Sequence, residues 1–166
     1  MRVYHIVRNE LEMTVGAFLQ PKTYSLEDFS VKKRKIEEEL EKVRKDSFTD
    51  FPSRLNCLFV CYDLADVEFW ASSISSIYGK QFMILTLETT GNVFWFSAES
   101  YHMYFNGLRN DLHQACLEFW ESNRYTEFDK LIDREGLING PAKITEIRQA
   151  CISRERGLQV MKTESK

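Results

Sequence analysis

The sequence predicts an α+β domain, and three observations carry that prediction. Runs with the two-residue alternation or continuous apolarity of strands recur at residues 2–8, 55–62, 81–89, 92–97 and 142–147. Between them lie segments of helical period, the longest over 27–46 and 100–122. At 166 residues, with 43% hydrophobic and 28% charged content, the chain is long enough to bury a core. One domain is therefore expected over 1–148, followed by a polar tail at 149–166.

Arg2-Val3-Tyr4-His5-Ile6-Val7-Arg8 alternates as a strand and sets one imidazole among apolar neighbours. Leu11, Val15, Phe18 and Leu19 then allow a short helix or turn that Pro21 ends. Ser25 ahead of Glu27 and Asp28 predicts a capped start, and Phe29, Ile36, Leu40 and Val43 line one face of a long amphipathic helix. Phe51-Pro52-Ser53-Arg54 breaks that helix and leads into the apolar run 55–62, which fits a central strand buried on both faces. Asp63 or Asp66 caps the next helix, which carries Phe69, Trp70, Ile74 and Ile77 and stops at Gly79. Residues 81–89 and 92–97, separated by Thr90-Gly91, read as a hairpin whose Phe82, Phe94, Trp95 and Phe96 are core. One or two helices follow over 100–122, interrupted at Gly107, with a further helical turn at 125–133. Leu137-Ile138 and 142–147 return to strand, flanking Gly140-Pro141, and after about residue 149 a helical or frayed tail is expected.

A net charge of −3 gives no global basic field, which argues against non-specific coating of nucleic acid. The seven acids and seven bases of 27–46 read as a solvated helix face, with Lys32 to Lys35 a weak nucleic-acid signal. Cys57, Cys61, Cys116 and Cys151 lack metal-site spacing, since C-x3-C on a strand separates its thiols by about 13 Å. The chain starts without a charged-then-apolar leader and has no apolar stretch of membrane length, so a reduced, cytoplasmic setting is expected, with no membrane partner and no metal.

No phosphate-binding loop, dinucleotide glycine fingerprint, H-E-x-x-H or nucleophile elbow is present. What remains is dispersed: His5 on the first strand, Ser53-Arg54 entering a buried strand, and Glu135 before a late strand. Val3-Tyr4-His5-Ile6-Val7, Pro52-Ser53-Arg54-Leu55-Asn56-Cys57-Leu58-Phe59-Val60 and Arg134-Glu135-Gly136-Leu137-Ile138 together resemble the ADP-ribosyltransferase superfamily, in its diphtheria-toxin-like and poly(ADP-ribose)-polymerase-like branch with an H-Y-E triad. The likeness is to a group of small bacterial and phage domains and spans roughly residues 2–148.

That resemblance implies a split, mostly antiparallel sheet flanked by helices, with NAD as substrate and no metal. It implies that His5 bonds the adenosine-side ribose, and that Ser53 and Arg54 hold the nicotinamide half or the diphosphate, where a guanidinium can fork onto phosphate oxygens. Arg8 is a second phosphate candidate, or else a solvent-facing strand-end charge. Glu135 would bind a nicotinamide-ribose hydroxyl and stabilise the oxocarbenium-like cation as nicotinamide leaves. Glu146 is the rival carboxylate. The tyrosine that stacks on nicotinamide is open among Tyr62, Tyr78 and Tyr101, with Tyr62 carried as a cofactor-binding candidate.

The expected activity is ADP-ribosyl transfer to a protein or nucleic acid, in the manner of toxins, phage-defence components or phage effectors, which can have a cognate inhibitor or antitoxin. Lys32 to Lys35 with Trp70 or Trp120 are candidates for contacting a nucleic-acid acceptor. The alternatives are an NAD glycohydrolase, a non-catalytic protein-interaction module and, more distantly, an RNA 2′-phosphotransferase-like enzyme.

Overall fold

The computed structural model describes residues 1–74 and 77–161. In chain order it contains β1 (Arg2–Arg8), β2 (Phe18–Leu19), β3 (Lys22–Thr23), α1 (Val31–Ser47), β4 (Asn56–Val60), α2 (Leu64–Ser73), β5 (Gln81–Glu88), β6 (Val93–Ser97), α3 (Glu99–Phe105), α4 (Leu112–Tyr125), β7 (Arg134–Ile138), β8 (Ala142–Ser153) and β9 (Gly157–Val160). The fold is α+β, with mostly antiparallel sheets and four flanking α-helices among the described residues. No helix among those residues is long and apolar enough to cross a membrane. The chain divides into two compact units, one drawn from the described residues of Met1–Gln20, Val60–Thr90 and Pro141–Lys166, the other from Pro21–Phe59 and Gly91–Gly140.

The first unit is a five-stranded sheet in the order β1-β5-β8-β2, with β9 also on β8. Residues Phe82 to Leu87 of β5 are all buried, and a strand so apolar needs a neighbour on each edge. β1 and β8 are those neighbours, both antiparallel. Consequently the expected hairpin of 81–89 with 92–97 does not form, because β6 pairs with β7 in the other unit. One face of the sheet packs Phe82, Ile84, Ala150 and Ile152 against Val67 and Ala71 of α2, with Tyr4 and Ile6 alongside. Asp63 caps α2 through a bond from the Asp66 amide, 2.9 Å, and the helix ends at Ser73. Part of the stretch expected to carry it on to Gly79, residues 75–76, lies outside the described residues.

Two further expectations change in this unit. Residues 11–19 form no helix; Phe18 and Leu19 pair instead with Lys143 and Ala142 of β8. The region after 149 is not a helical or frayed tail through its described part, because β8 runs on to Ser153 and turns at Gly157 (φ +62°) into β9. Ala150 and Ile152, both fully or nearly buried, anchor that continuation despite the polar residues around them.

The second unit holds the sheet β3-β4-β7-β6, so the run predicted as a central strand, β4, is an inner strand here. Its core is aromatic: Phe51, Phe96, Phe119 and Trp120 are buried, with Phe96 stacked on Phe119 at 4.8 Å between centroids and edge-on to Trp120 at 5.1 Å. Such offset and edge-on ring pairs add to what area burial alone contributes. The Trp120 indole N–H donates to the Leu40 carbonyl of α1 at 2.9 Å, satisfying the one polar atom of a side chain with no exposure. Ser25 caps a short 3₁₀ turn, Leu26–Asp28, and Ser30 caps α1 itself, so the long helix starts four residues after the predicted Glu27. The 100–122 pattern resolves into two helices, with Gly107 at φ +73° in the break between them.

Candidate functional site

Arg54 enters β4 directly behind the Pro52 break, and its guanidinium turns into the second unit, only 5% exposed. Its Nε and Nη2 fork onto Glu37 of α1 at 3.0 and 2.9 Å, and its Nη1 donates to Glu135 Oε1 on β7. The Tyr101 hydroxyl of α3 donates to the other Glu135 oxygen at 3.0 Å. The rings of Phe59, Tyr101 and Phe119 surround the guanidinium carbon at 5.0, 5.2 and 5.1 Å. Three helices and two strands therefore converge on one buried charge, and the cage of aromatic faces stabilises it as a cation.

The electrostatics follow from that packing. Burial works against the charge of Arg54, but the Glu37 carboxylate more than offsets it and holds the guanidinium above its ordinary range. Burial pushes the Tyr101 phenol up to about 12, so at neutral pH it is a donor to Glu135. Burial likewise raises Cys57 to about 12, which makes it an unreactive thiol. Two carboxyl groups, Glu37 and Glu135, share one guanidinium. Lys33 is the next cation in reach; burial lowers its pKa, and Glu37 acts the other way.

A second pair adjoins this group. His102, next to Tyr101 on α3 and edge-on to its ring at 4.6 Å, bonds Asp133 through Nδ1 at 2.8 Å. Asp133 stands two residues before Glu135 and adopts φ +49°, a left-handed conformation that L residues other than Asn and Asp rarely take. The Ala98 amide also donates to the Asp133 carbonyl, so the start of α3 is tied to the entry of β7. Burial lowers the His102 pKa, with the Asp133 bond opposing it.

The residues singled out from sequence fall into both units. Arg54 and Glu135 meet directly, and Ser53 lies beside them in sequence but turns its hydroxyl to Glu41 at 2.9 Å, where Arg44 also bonds. Arg54 is neither at the surface nor turned to solvent: its fork faces carboxylates of the same unit. His5, Arg8 and Tyr62 belong to the first unit. His5 sits opposite Leu85 on the sheet face that alternates away from Tyr4 and Ile6; Arg8 is exposed at the end of β1, and Tyr62 is 42% exposed. Glu146, the rival carboxylate, lies on β8 and accepts from Thr86 Oγ1 at 3.1 Å. Of the three competing tyrosines, Tyr101 shares a unit with Glu135 and bonds it, while Tyr62 and Tyr78 are in the first unit. Trp120 has no exposure and is core, not a surface for nucleic acid.

Sequence reasoning did not single out Glu37, His102 or Asp133. Glu37 carried one faint signal: it lies three residues before Leu40, within the apolar stripe of α1, and is buried there with Ile36, Leu40 and Val43. His102 and Asp133 carried none, because 31 residues separate them.

A family model described as protein of unknown function (DUF2441) matches residues 22–150, and the chain belongs to that family. No curated protein matches it.

Proposed function

We propose that this member of the DUF2441 family is an ADP-ribosyltransferase that takes NAD as substrate and modifies a macromolecular acceptor. Glu135 is the residue on which the reaction turns. As the bond from nicotinamide to its ribose breaks, positive charge develops on the sugar, and a fixed carboxylate in a water-poor surrounding stabilises that charge far better than one in solvent. The observation that supports this is the buried Arg54 guanidinium shared by the Glu37 and Glu135 carboxyl groups, with Glu135 held in place by both Arg54 and Tyr101. The α+β architecture with mostly antiparallel sheets agrees with the fold that the resemblance implies, and Tyr101 is the tyrosine that accompanies the glutamate.

Glu135→Gln tests the proposal because the amide keeps the size of the side chain and can still accept from Tyr101. Nicotinamide release from NAD is expected to fall by about a hundredfold or more, the scale of losing one preorganised electrostatic group. Equal release by wild type and variant removes Glu135 from the chemistry. The alternative, a non-catalytic interaction module, draws on the same cluster: Glu135 is 4% exposed and its oxygens are engaged by Arg54 and Tyr101, as a brace would be. If millimolar NAD gives neither a rise in melting temperature nor any nicotinamide, the module is the better account. Labelled NAD in a cell lysate, followed by nuclease or protease digestion, separates a nucleic-acid acceptor from a protein one; release of free ADP-ribose alone marks a glycohydrolase. The roles that the resemblance gives His5, Arg8 and Tyr62 are tested singly by the Michaelis constant for NAD in His5→Ala, Arg8→Ala and Tyr62→Phe.

A further inference from the structure

We infer that a strip of lysines and aromatic rings on the second unit, running from β3 to the start of α1 and the end of α3, binds single-stranded nucleic acid. The rings take unpaired bases and the lysines take phosphates. Residues 22–35 carry five basic and two acidic side chains in a chain whose net charge is −3, so positive charge is gathered in this segment. The fold sets its lysines over rings: Lys22 Nζ lies 5.2 Å from the centre of the Tyr24 ring, Lys33 Nζ 5.2 Å from that of Phe29, and Lys32 Nζ 5.1 Å from that of Phe105. Tyr24 and Phe29 stack with centroids 6.3 Å apart, and the consecutive residues Lys32 and Lys33 reach Phe105 and Phe29, so the three rings flank one stretch of surface. All three lysines keep exposed surface, Phe105 is 42% exposed, and Tyr24 and Phe29 are half-buried. Arg34 donates to the Leu26 and Glu27 carbonyls at 3.0 and 3.4 Å, which fixes the turn ahead of Phe29 against α1. Of the two acids, Asp28 is held in that turn, where it accepts the Ser25 amide at 3.3 Å.

Helix stability does not account for these lysines, because Lys32 and Lys33 stand in the first turn of α1, where the helix dipole disfavours cations. A base stacked on an aromatic face contributes more than an exposed ammonium there, so an arriving strand displaces each lysine from its ring and meets it again at the adjoining phosphate. A duplex keeps its bases stacked on one another and has no such faces to offer. An acidic peptide would meet the lysines but leaves three rings without flat partners. Tyr24 is also edge-on to Phe59 at 5.6 Å, and Phe59 covers the Arg54 guanidinium at 5.0 Å, so one ring joins the strip to the group that holds Glu135. Binding here does not rest on the transferase reading; under that reading it makes the acceptor a nucleic acid.

The test is fluorescence anisotropy of the full chain, without NAD, against labelled oligothymidylate and oligouridylate of about 12 nucleotides, duplex DNA of the same length, and polyglutamate. Single strands are expected to bind about tenfold or more tighter than duplex or polyglutamate, and the ratio of the two single strands tells DNA from RNA. Phe105→Ala is expected to weaken binding about tenfold and leave the slope of log affinity against log salt unchanged. Lys32→Gln is expected to make that slope shallower by about 0.7. Melting curves show whether Phe105→Ala folds, and Phe105→Leu, which keeps apolar bulk and removes the flat face, serves if it does not. The proposal is overturned by failure of both single strands to bind in low-salt buffer, by equal binding of duplex or polyglutamate, or by a folded Phe105 variant that binds like wild type. Because NAD takes no part, such a failure leaves the transferase standing. Single-strand binding by a protein that releases no nicotinamide keeps the surface and removes the transferase.

Discussion

In the first unit the sheet and α2 enclose Val67, Ala71, Phe82, Ile84, Ala150 and Ile152, all apolar, whereas the second unit encloses Glu37, Arg54 and Glu135 among Phe59, Tyr101 and Phe119. The one interior needs only shape complementarity, because apolar burial is non-directional. The other requires each oxygen and N–H to meet a partner, since removing charges from water costs several kcal/mol per ion unless pairing offsets it. A fold that needed stability alone would be served as well by apolar side chains of similar volume. The difference therefore teaches that the second unit's interior is specified by pairing as well as by shape, with Arg54, Glu37, Glu135 and Tyr101 each bonded to another member of the group.

That contrast can be broken first at Arg54. Arg54→Met leaves Glu37 and Glu135 buried together without a cation, and a loss of about 3–5 kcal/mol is expected in urea denaturation followed by tryptophan fluorescence. A loss under 1 kcal/mol would mean that the carboxylates simply take up protons or water and that the charge cluster is dispensable to the fold.

The matching change in the apolar interior is Ile84→Ala, at a site with no exposure. It creates a cavity and is expected to cost about 3 kcal/mol, with the same value at pH 5 and pH 8. A strong pH dependence of that cost would show that the two interiors are energetically coupled and not separate in kind.

The smallest effect sharpens the comparison through pH. Burial holds the folded pKa of His102 below its ordinary value, so the unfolded imidazole, at about 6.5, binds its proton first. Stability from this group is therefore complete above about pH 6.5 and falls as pH drops toward the folded pKa. Glu41 adds a later loss: burial pushes its carboxyl up, but bonds from Arg44 and Ser53 prevail and hold it below the usual value. Its contribution is present above the unfolded carboxyl pKa, about 4.3, and disappears as pH falls through the folded one. Melting temperatures of wild type and His102→Asn between pH 7 and 5 check this. The variant is expected to lose less stability over that range, and parallel curves would show that His102 does not titrate with folding.

Local chemistry was legible along much of the chain. The alternation of Arg2–Arg8, the apolar run of β4, the cap at Asp63 and the break at Gly107 are each decided by neighbours a few residues away, and each element formed where its pattern lies. Arg54 and Glu135 stand out through the family resemblance, since residue type alone does not separate Glu135 from its rival Glu146. Their mutual bond was not legible, since they stand 81 positions apart.

What the sequence by itself determined is the α+β inventory of strands and helices and the residue types able to carry chemistry. Tertiary structure alone decided that β5 turns to β1 and β8 and leaves β6 to β7, since periodicity says which residues pair but not with what. It alone decided that Glu37, one acid among five on a charged helix, is the buried partner of Arg54. It alone brought His102 to Asp133 beside Glu135. Burial and pairing depend on what packs against a side chain, and that is fixed only when segments distant in sequence share one interior.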